Sequence, residues 1–489
     1  MGNDHLVAVN IPADGLFLAI QEKANGDLSR ENCTRLIRAY MDRILDTKPD
    51  IIFLNVNYRR ALTPSDVMDS YLYDITPEGK TLSPTTESVS KYFSVFFTCA
   101  RPLLENGIDI YEILTRHIRA SGCKVYLSVR MNDGHYRNDP AINTPFAQKY
   151  SVAGDGADLD FTQSAVQDRY CAYIDELIRR YDPDGIELDW LRYPTCLPQE
   201  KRGDYTIINN YMGRIRAQLP ATMALAVRLY PSEEKNLAHG FDVAQWIADG
   251  TADLFTMENF YVPTNFEMPV GNWREKIAKR NTENRPYTLL CGSDWAVACR
   301  PGYHIPMNPP LVRGFVGEAL SRGADGVYLF NFFEEDAFSS WMLTPDGRLE
   351  TCFAERLQAA REPEKLPRRC VHIGATGRRY PIVLESGGSY EYDYDVKKPC
   401  GTICFTVGAD APVSLEVGGQ TIPLQDAPVI PGFGYGGAVR GGEFVYTVTE
   451  LAPVVKTAVL PTAEHLHIVL KNTSDQTANI LWLQLSFEP

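Results

Sequence analysis

The segment RMNDGHYRN, residues 130–138, places two arginines, two asparagines, an aspartate and a histidine within nine positions. Histidine is the side chain whose ordinary pKa of about 6.5 lets it give up a proton near neutrality. Arginine presents planar, paired donors that match a carboxylate. His135 next to Asp133, with Arg130 close by, therefore points to proton transfer on an anionic substrate. Asp133 reads equally well as an ordinary turn residue of NDG. The segment directly follows KVYLSV, an apolar run that reads as a buried strand. A polar loop after one strand means little unless other strands end in the same way and the ends converge.

Short β-like runs recur along the first three quarters of the chain. Strands are expected at 6–11, 51–56, 125–130, 185–189, 223–228, 254–258, 287–291 and 326–331. Between them lie amphipathic helical patterns such as TRLIRAYMDRILDT and AVQDRYCAYIDELIRRY. Eight strands alternating with helices predict an α/β fold, a (β/α)8 TIM barrel. Past the charged, Pro-containing AAREPEKLPRRC the texture changes to short alternating runs such as GTICFTVG and NILWLQLSF, as expected of an all-β sandwich. The expected domains are a catalytic barrel over 1–362, a linker over 363–369 and a β-sandwich over 370–489.

Alternate residues of a barrel strand face inside and outside. VYLSVR then turns Tyr126, Ser128 and Arg130 inward, GIELD turns Glu187 and Asp189 inward, and MALAVR does the same with Ala224, Ala226 and Arg228. Three central strands thus deliver charges to the C-terminal mouth, where barrel enzymes do their chemistry. The same four charges also read as a satisfied buried ion network, since barrel interiors must pair charges whatever the function.

YDPDGIELDWLRYP, residues 181–194, is the most specific stretch. It resembles the fourth strand of several glycoside hydrolase clans, and the chitinase pattern DGxDxDxE. Leu191 stands where chitinases keep their acid glutamate, which speaks against that mechanism. Taken with PADG at 12–15, SVRMNDGH, LRYP and YLFNFF, the chain resembles the inverting sialidases of glycoside hydrolase family 156 over its whole length. The resemblance implies that Asp14 is the catalytic base and His135 the catalytic acid. It also implies that Arg130 and Arg192 hold the sugar carboxylate and that Asn331 lines the sugar site. Asp133, Asp189 and Tyr193 are expected to contact or support the substrate. The implied partners are sialylated glycans or free sialic acid.

The chemistry is coherent without the family. A sialoside carries a carboxylate on its anomeric carbon, and an enzyme carboxylate attacking that carbon at about 4 Å would meet a repulsion of several kcal/mol. Two solutions exist: a neutral nucleophile such as tyrosine, or direct attack by water, the second with base and acid roughly 6.5–9.5 Å apart. The rivals are a retaining hydrolase with Asp189 as nucleophile and Glu258 as acid, and a glycan-binding barrel without activity. An aldolase needs a Schiff-base lysine at a strand end, and no expected strand end carries one.

The formal net charge of −14 argues against nucleic acid and anionic membrane surfaces as partners. The 11 cysteines, odd in number and scattered in apolar segments, suggest reduced thiols. No cofactor signature or metal cluster is seen. With no signal peptide in MGNDHLVAVNIP, a cytoplasmic setting is the default expectation, and a homodimer stays open.

Overall fold

The computed structural model describes residues 5–488 apart from 13–15, 18–19, 21–22, 85–95, 136, 140, 260–263, 295, 301–302, 331–352, 364–367, 374–380, 397–400, 429–430, 435–438, 441–442, 445–446 and 451. Asp14 and Asn331 lie outside the described residues.

Eight strands close into a barrel: β1 (Leu6–Ile11), β2 (Ile51–Asn55), β3 (Lys124–Arg130), β4 (Gly185–Asp189), β5 (Ala224–Leu229), β6 (Leu254–Met257), β7 (Thr288–Ser293) and β8 (Gly326–Leu329). They run parallel in chain order, and β8 pairs back onto β1. Expected and observed strand ends agree to within two residues, and those of β1 and β4 coincide. The expected eighth strand ran on to Asn331.

Helices α1 (Arg30–Leu45), α2 (Ile110–Ala120), α3 (Ser164–Tyr181), α4 (Thr206–Gln218), α5 (Val243–Ala248), α6 (Val270–Arg280), α7 (Pro309–Ser321) and α8 (Phe353–Arg361) lie between or after the strands. Local chemistry sets their limits. Ser29 caps α1 by accepting from the Asn32 amide, and Asp109 caps α2 through the amides of Tyr111 and Glu112. Helix α3 stops where Asp182 turns left-handed.

The alternation separates two cores. Val125, Leu127, Val129, Ile186, Leu188, Leu225 and Val227 face outward into the helix layer. Ala8, Ile51, Phe53, Tyr126, Ala226, Leu254, Leu290 and Tyr328 fill the inside. Ring centroids of Tyr126 and Tyr328 lie 5.0 and 4.9 Å from that of Phe53, so aromatic rings plug the lower barrel. A Cβ at Gly185 would come within 2.7 Å of the Tyr126 ring, so this plug dictates glycine at the start of β4.

The C-terminal region holds two antiparallel sheets. One contains Arg369–His372 (β9), Ile382–Leu384, Thr402–Ala409, Gln425–Asp426, Val454–Leu460 and Ala478–Glu488, and the other Ser389–Asp395, Val413–Val417, Gln420–Ile422 and His465–Asn472. A further sheet joins Ala296–Arg300 and Tyr303–Pro306, from the β7–β8 connection, to Pro431–Gly434 and Thr447–Glu450. Helix α7 lies hard against β9: a Cβ at Gly314 would come within 1.8 Å of the Cys370 carbonyl oxygen. None of the eight cysteines whose side chains are described forms a disulfide. Among the described residues no helix is long and apolar enough to cross a membrane.

Candidate active site

The loop leaving β2 organises the mouth of the barrel. Asn57 accepts a hydrogen bond from the Arg130 amide at 2.9 Å and donates to the Arg130 carbonyl at 2.9 Å. Its side chain thus extends the β2–β3 pairing past the end of the strand. Next to it, the Tyr58 ring lies 4.1 Å from the Arg130 guanidinium carbon, a cation–π contact. Arg130 is held by its backbone and by its flat face before any substrate arrives.

Arg130 Nη1 donates to Asp133 Oδ2 at 2.8 Å. The other oxygen of Asp133 accepts from the His135 amide at 3.0 Å and lies 2.6 Å from His135 Nδ1. One buried carboxylate therefore bridges the arginine and the imidazole. Burial alone would push the Asp133 carboxyl up. His135, Arg130 and Arg192 outweigh it and hold that carboxyl well below the usual range. Asp133 stays charged at every pH where an imidazole exchanges its proton.

Tyr193 completes this corner. Its ring stands edge-on to His135, centroids 5.4 Å apart, and its backbone is left-handed at φ 54°. A non-glycine residue there costs about 1 kcal/mol or more. A Cβ at Gly134 would meet the Tyr193 ring at 2.8 Å, so the glycine of NDG is what lets the tyrosine close against the histidine. Arg192 is buried, with its guanidinium carbon 5.6 Å from the Phe330 ring centroid.

Beside this corner lies a second, tighter cluster. Arg228 Nη1 donates to both oxygens of Asp189, at 2.9 and 3.0 Å. Its Nε and Nη2 donate to Glu258 at 2.8 and 2.9 Å. The Phe330 ring covers its flat face at 3.6 Å. One cation cannot neutralise two buried carboxylates. Burial pushes Glu258 up to about 7 in spite of Arg228, and Asp294 and Asp189 add to the rise. Glu187, fully buried below, accepts from Ser128 Oγ at 2.6 Å and Tyr328 OH at 3.0 Å. Burial, then the Asp189 charge, raises its carboxyl.

Of the residues expected from sequence, the structure brings Arg130, Asp133, His135 and Tyr193 into one corner, with Arg192 close enough to act on Asp133. Asp189 lies beside Arg130 in the β3–β4 register but gives its carboxylate to Arg228. Asp14 and Asn331 fall outside the described residues, although Asn331 follows Phe330, whose ring touches both clusters' arginines. Sequence reasoning missed Asn57 and Tyr58. Their segment NVNYRR carries the signal used for β3, polar groups crowded at the end of an apolar strand. Among the described residues no group of three or more His, Cys, Asp or Glu is arranged to hold a metal ion.

No family model matches the chain, and no curated protein does. Among solved structures it is similar to a GH138 enzyme targeting pectin rhamnogalacturonan II, with a TM-score of 0.45 and 12% identity over 75% of this chain and 39% of the other. It is also similar to an alpha-L-fucosidase from Vibrio sp. strain EJY3, with a TM-score of 0.40 and 10% identity over 99% and 96% of the two chains. A third is an alpha-amylase from Malbranchea cinnamomea, with a TM-score of 0.39 and 9% identity over 93% and 96%. All three are glycoside hydrolases by description.

Proposed function

We propose that this barrel is a glycoside hydrolase that removes terminal sialic acid by single displacement, the activity implied by its resemblance to glycoside hydrolase family 156. The observation that carries the proposal is the bridge of Asp133 between His135 and Arg130. It joins a proton-transfer group to a carboxylate-binding group through one permanently charged residue.

In this reading Asp133 holds Nδ1 of His135, so Nε2 is the nitrogen that delivers a proton to the departing glycosidic oxygen. Asp14 takes the proton of the attacking water on the opposite face of the sugar, a role that rests on the resemblance. Arg130 and Arg192 receive the sugar carboxylate, Asn331 lines the sugar ring, and Tyr193 keeps the imidazole in place. The carboxylate on the anomeric carbon disfavours an anionic nucleophile, which leaves a neutral protein group such as tyrosine or water, and the resemblance favours water. Asp189 and Glu258, the residues a retaining mechanism would employ, both bind Arg228. To act as nucleophile or acid they would have to break buried charge-assisted bonds, so that alternative is disfavoured. Asp189 is assigned to the floor of the sugar site through Arg228.

Release of the fluorophore from a fluorogenic α-sialoside tests the assignment. His135→Ala and Asp14→Ala are each expected to lower kcat by about 100-fold or more. Wild-type rates in both variants would refute it.

A further inference from the structure

The loop after β2 carries one more cation. Asn57 and Tyr58 grip Arg130, and Arg59 continues past them. Arg59 is 8% exposed, and its hydrogen bond runs from Nη2 to the carbonyl oxygen of Ala157. Among the described residues it has no carboxylate within ion-pair distance. Its neighbour Arg60 shows what a structural arginine looks like in this loop. Arg60 pairs with Asp74 and donates to the carbonyls of Ala141 and Ser70. The fold compensates one arginine and leaves the next with a carbonyl alone.

An uncompensated buried charge is costly, and folds that keep one use it. The charged and titratable groups bearing on Arg59 are Tyr170, Asp133, Asp158 and Tyr193. Asp133 and Asp158 favour its charge from a distance, and neither pairs with it directly. Asp133 is already shared by Arg130 and His135. Asp158, whose carboxyl burial pushes up to about 6 while Arg59 pulls it down, makes no ion pair with Arg59 among the described residues. Arg59 thus brings a positive charge without a direct carboxylate pair among the described residues to the loop that grips Arg130, close enough to act on Asp133 and Tyr193, in a protein whose net charge is −14. Arg130, by contrast, has half of its fork on Asp133 and its face on Tyr58.

We propose that Arg59 is the specificity-determining cation of the site, supplying the charge that selects a sugar carboxylate over a neutral sugar. The proposal rests on the reading of the site as one for an acidic sugar. It shifts the main source of anion attraction from Arg130 to Arg59, with Arg130 fixing orientation.

Titration calorimetry with free sialic acid and with its methyl ester separates the two claims. Wild type is expected to bind the acid at least tenfold more tightly than the ester. Arg59→Met is expected to erase most of that preference while changing ester affinity by less than threefold. Arg59→Lys, which keeps the charge but loses the fork, is expected to fall between them and serves as the test if the methionine variant does not fold. A preference unchanged in either variant overturns the role of Arg59 and leaves the acidic-sugar reading standing. Equal weakening of acid and ester overturns it as well, because a purely structural role gives that pattern. A wild type without preference for the acid removes the acidic-sugar reading and the proposal with it.

Discussion

Arg130 and Arg228 close strands β3 and β5 of one barrel, both almost fully buried, yet their surroundings differ in kind. Arg228 makes four hydrogen bonds to two carboxylates and lies flat on Phe330. Among the described residues Arg130 makes one ion pair, to an aspartate it shares with a histidine, and its buried Nε has no hydrogen-bond partner. The first arrangement is saturated and ties β4, β5 and β6 together. The second is left with donor capacity at the barrel mouth. Burial alone does not tell a structural arginine from a substrate-binding one. The number of acceptors already supplied by the protein differs between the two, and it is the basis on which we propose Arg130 as substrate-binding.

The comparison breaks most sharply under one substitution made at both places. Arg228→Met strands Asp189 and Glu258 as buried carboxylates, and folding stability is expected to fall by about 3–5 kcal/mol. Arg130→Met strands only Asp133, which keeps His135, so its cost in stability is expected to be less than half as large. Urea unfolding followed by tryptophan fluorescence measures both, and equal losses would erase the distinction drawn here.

A smaller effect probes the bridge. Asp133→Asn keeps the shape of the side chain and removes the charge facing Nδ1. The expected result is a kcat for an α-sialoside lower by about 100-fold, with a much smaller change in KM. A loss confined to KM would make Asp133 a substrate-binding group instead of the partner of the histidine.

The smallest effect concerns the saturated cluster and pH. Glu258 rises from an ordinary 4.5 to about 7 in the fold, so between those values the folded protein binds more protons than the unfolded chain. Its contribution to stability is therefore complete below about pH 4.5 and is lost as the pH climbs through 7. The size is on the order of 1–3 kcal/mol. The urea midpoint of Glu258→Gln should lack this portion of the pH dependence. A variant that tracks wild type from pH 4.5 to 8 would mean that Glu258 stays charged beside Arg228.

Much of this was legible in the chain. The period-two patterns of VYLSVR, GIELD and MALAVR assigned the inward faces that the barrel shows, and the polar crowding of RMNDGHYRN marked the end of β3 as a candidate site. Strand alternation is a local property, so sequence exposes it directly. The partners of those charges are not local. That Arg228 would take both Asp189 and Glu258, 39 and 30 residues away, depends on the barrel register. That Asn57 would clamp the backbone of Arg130, 73 residues on, depends on how the β2 loop folds back. Gly134 looked like a turn glycine, and its reason, the Tyr193 ring pressed against it, appears only once the loops after β3 and β4 meet.

The most direct test of the central claim is proton NMR of the first sugar released from an α-sialoside, recorded before mutarotation. Direct attack by water predicts β-sialic acid as the initial product. Initial α-sialic acid would mean that a group of the protein displaces the aglycone first, and would contradict the roles given to His135 and Asp14.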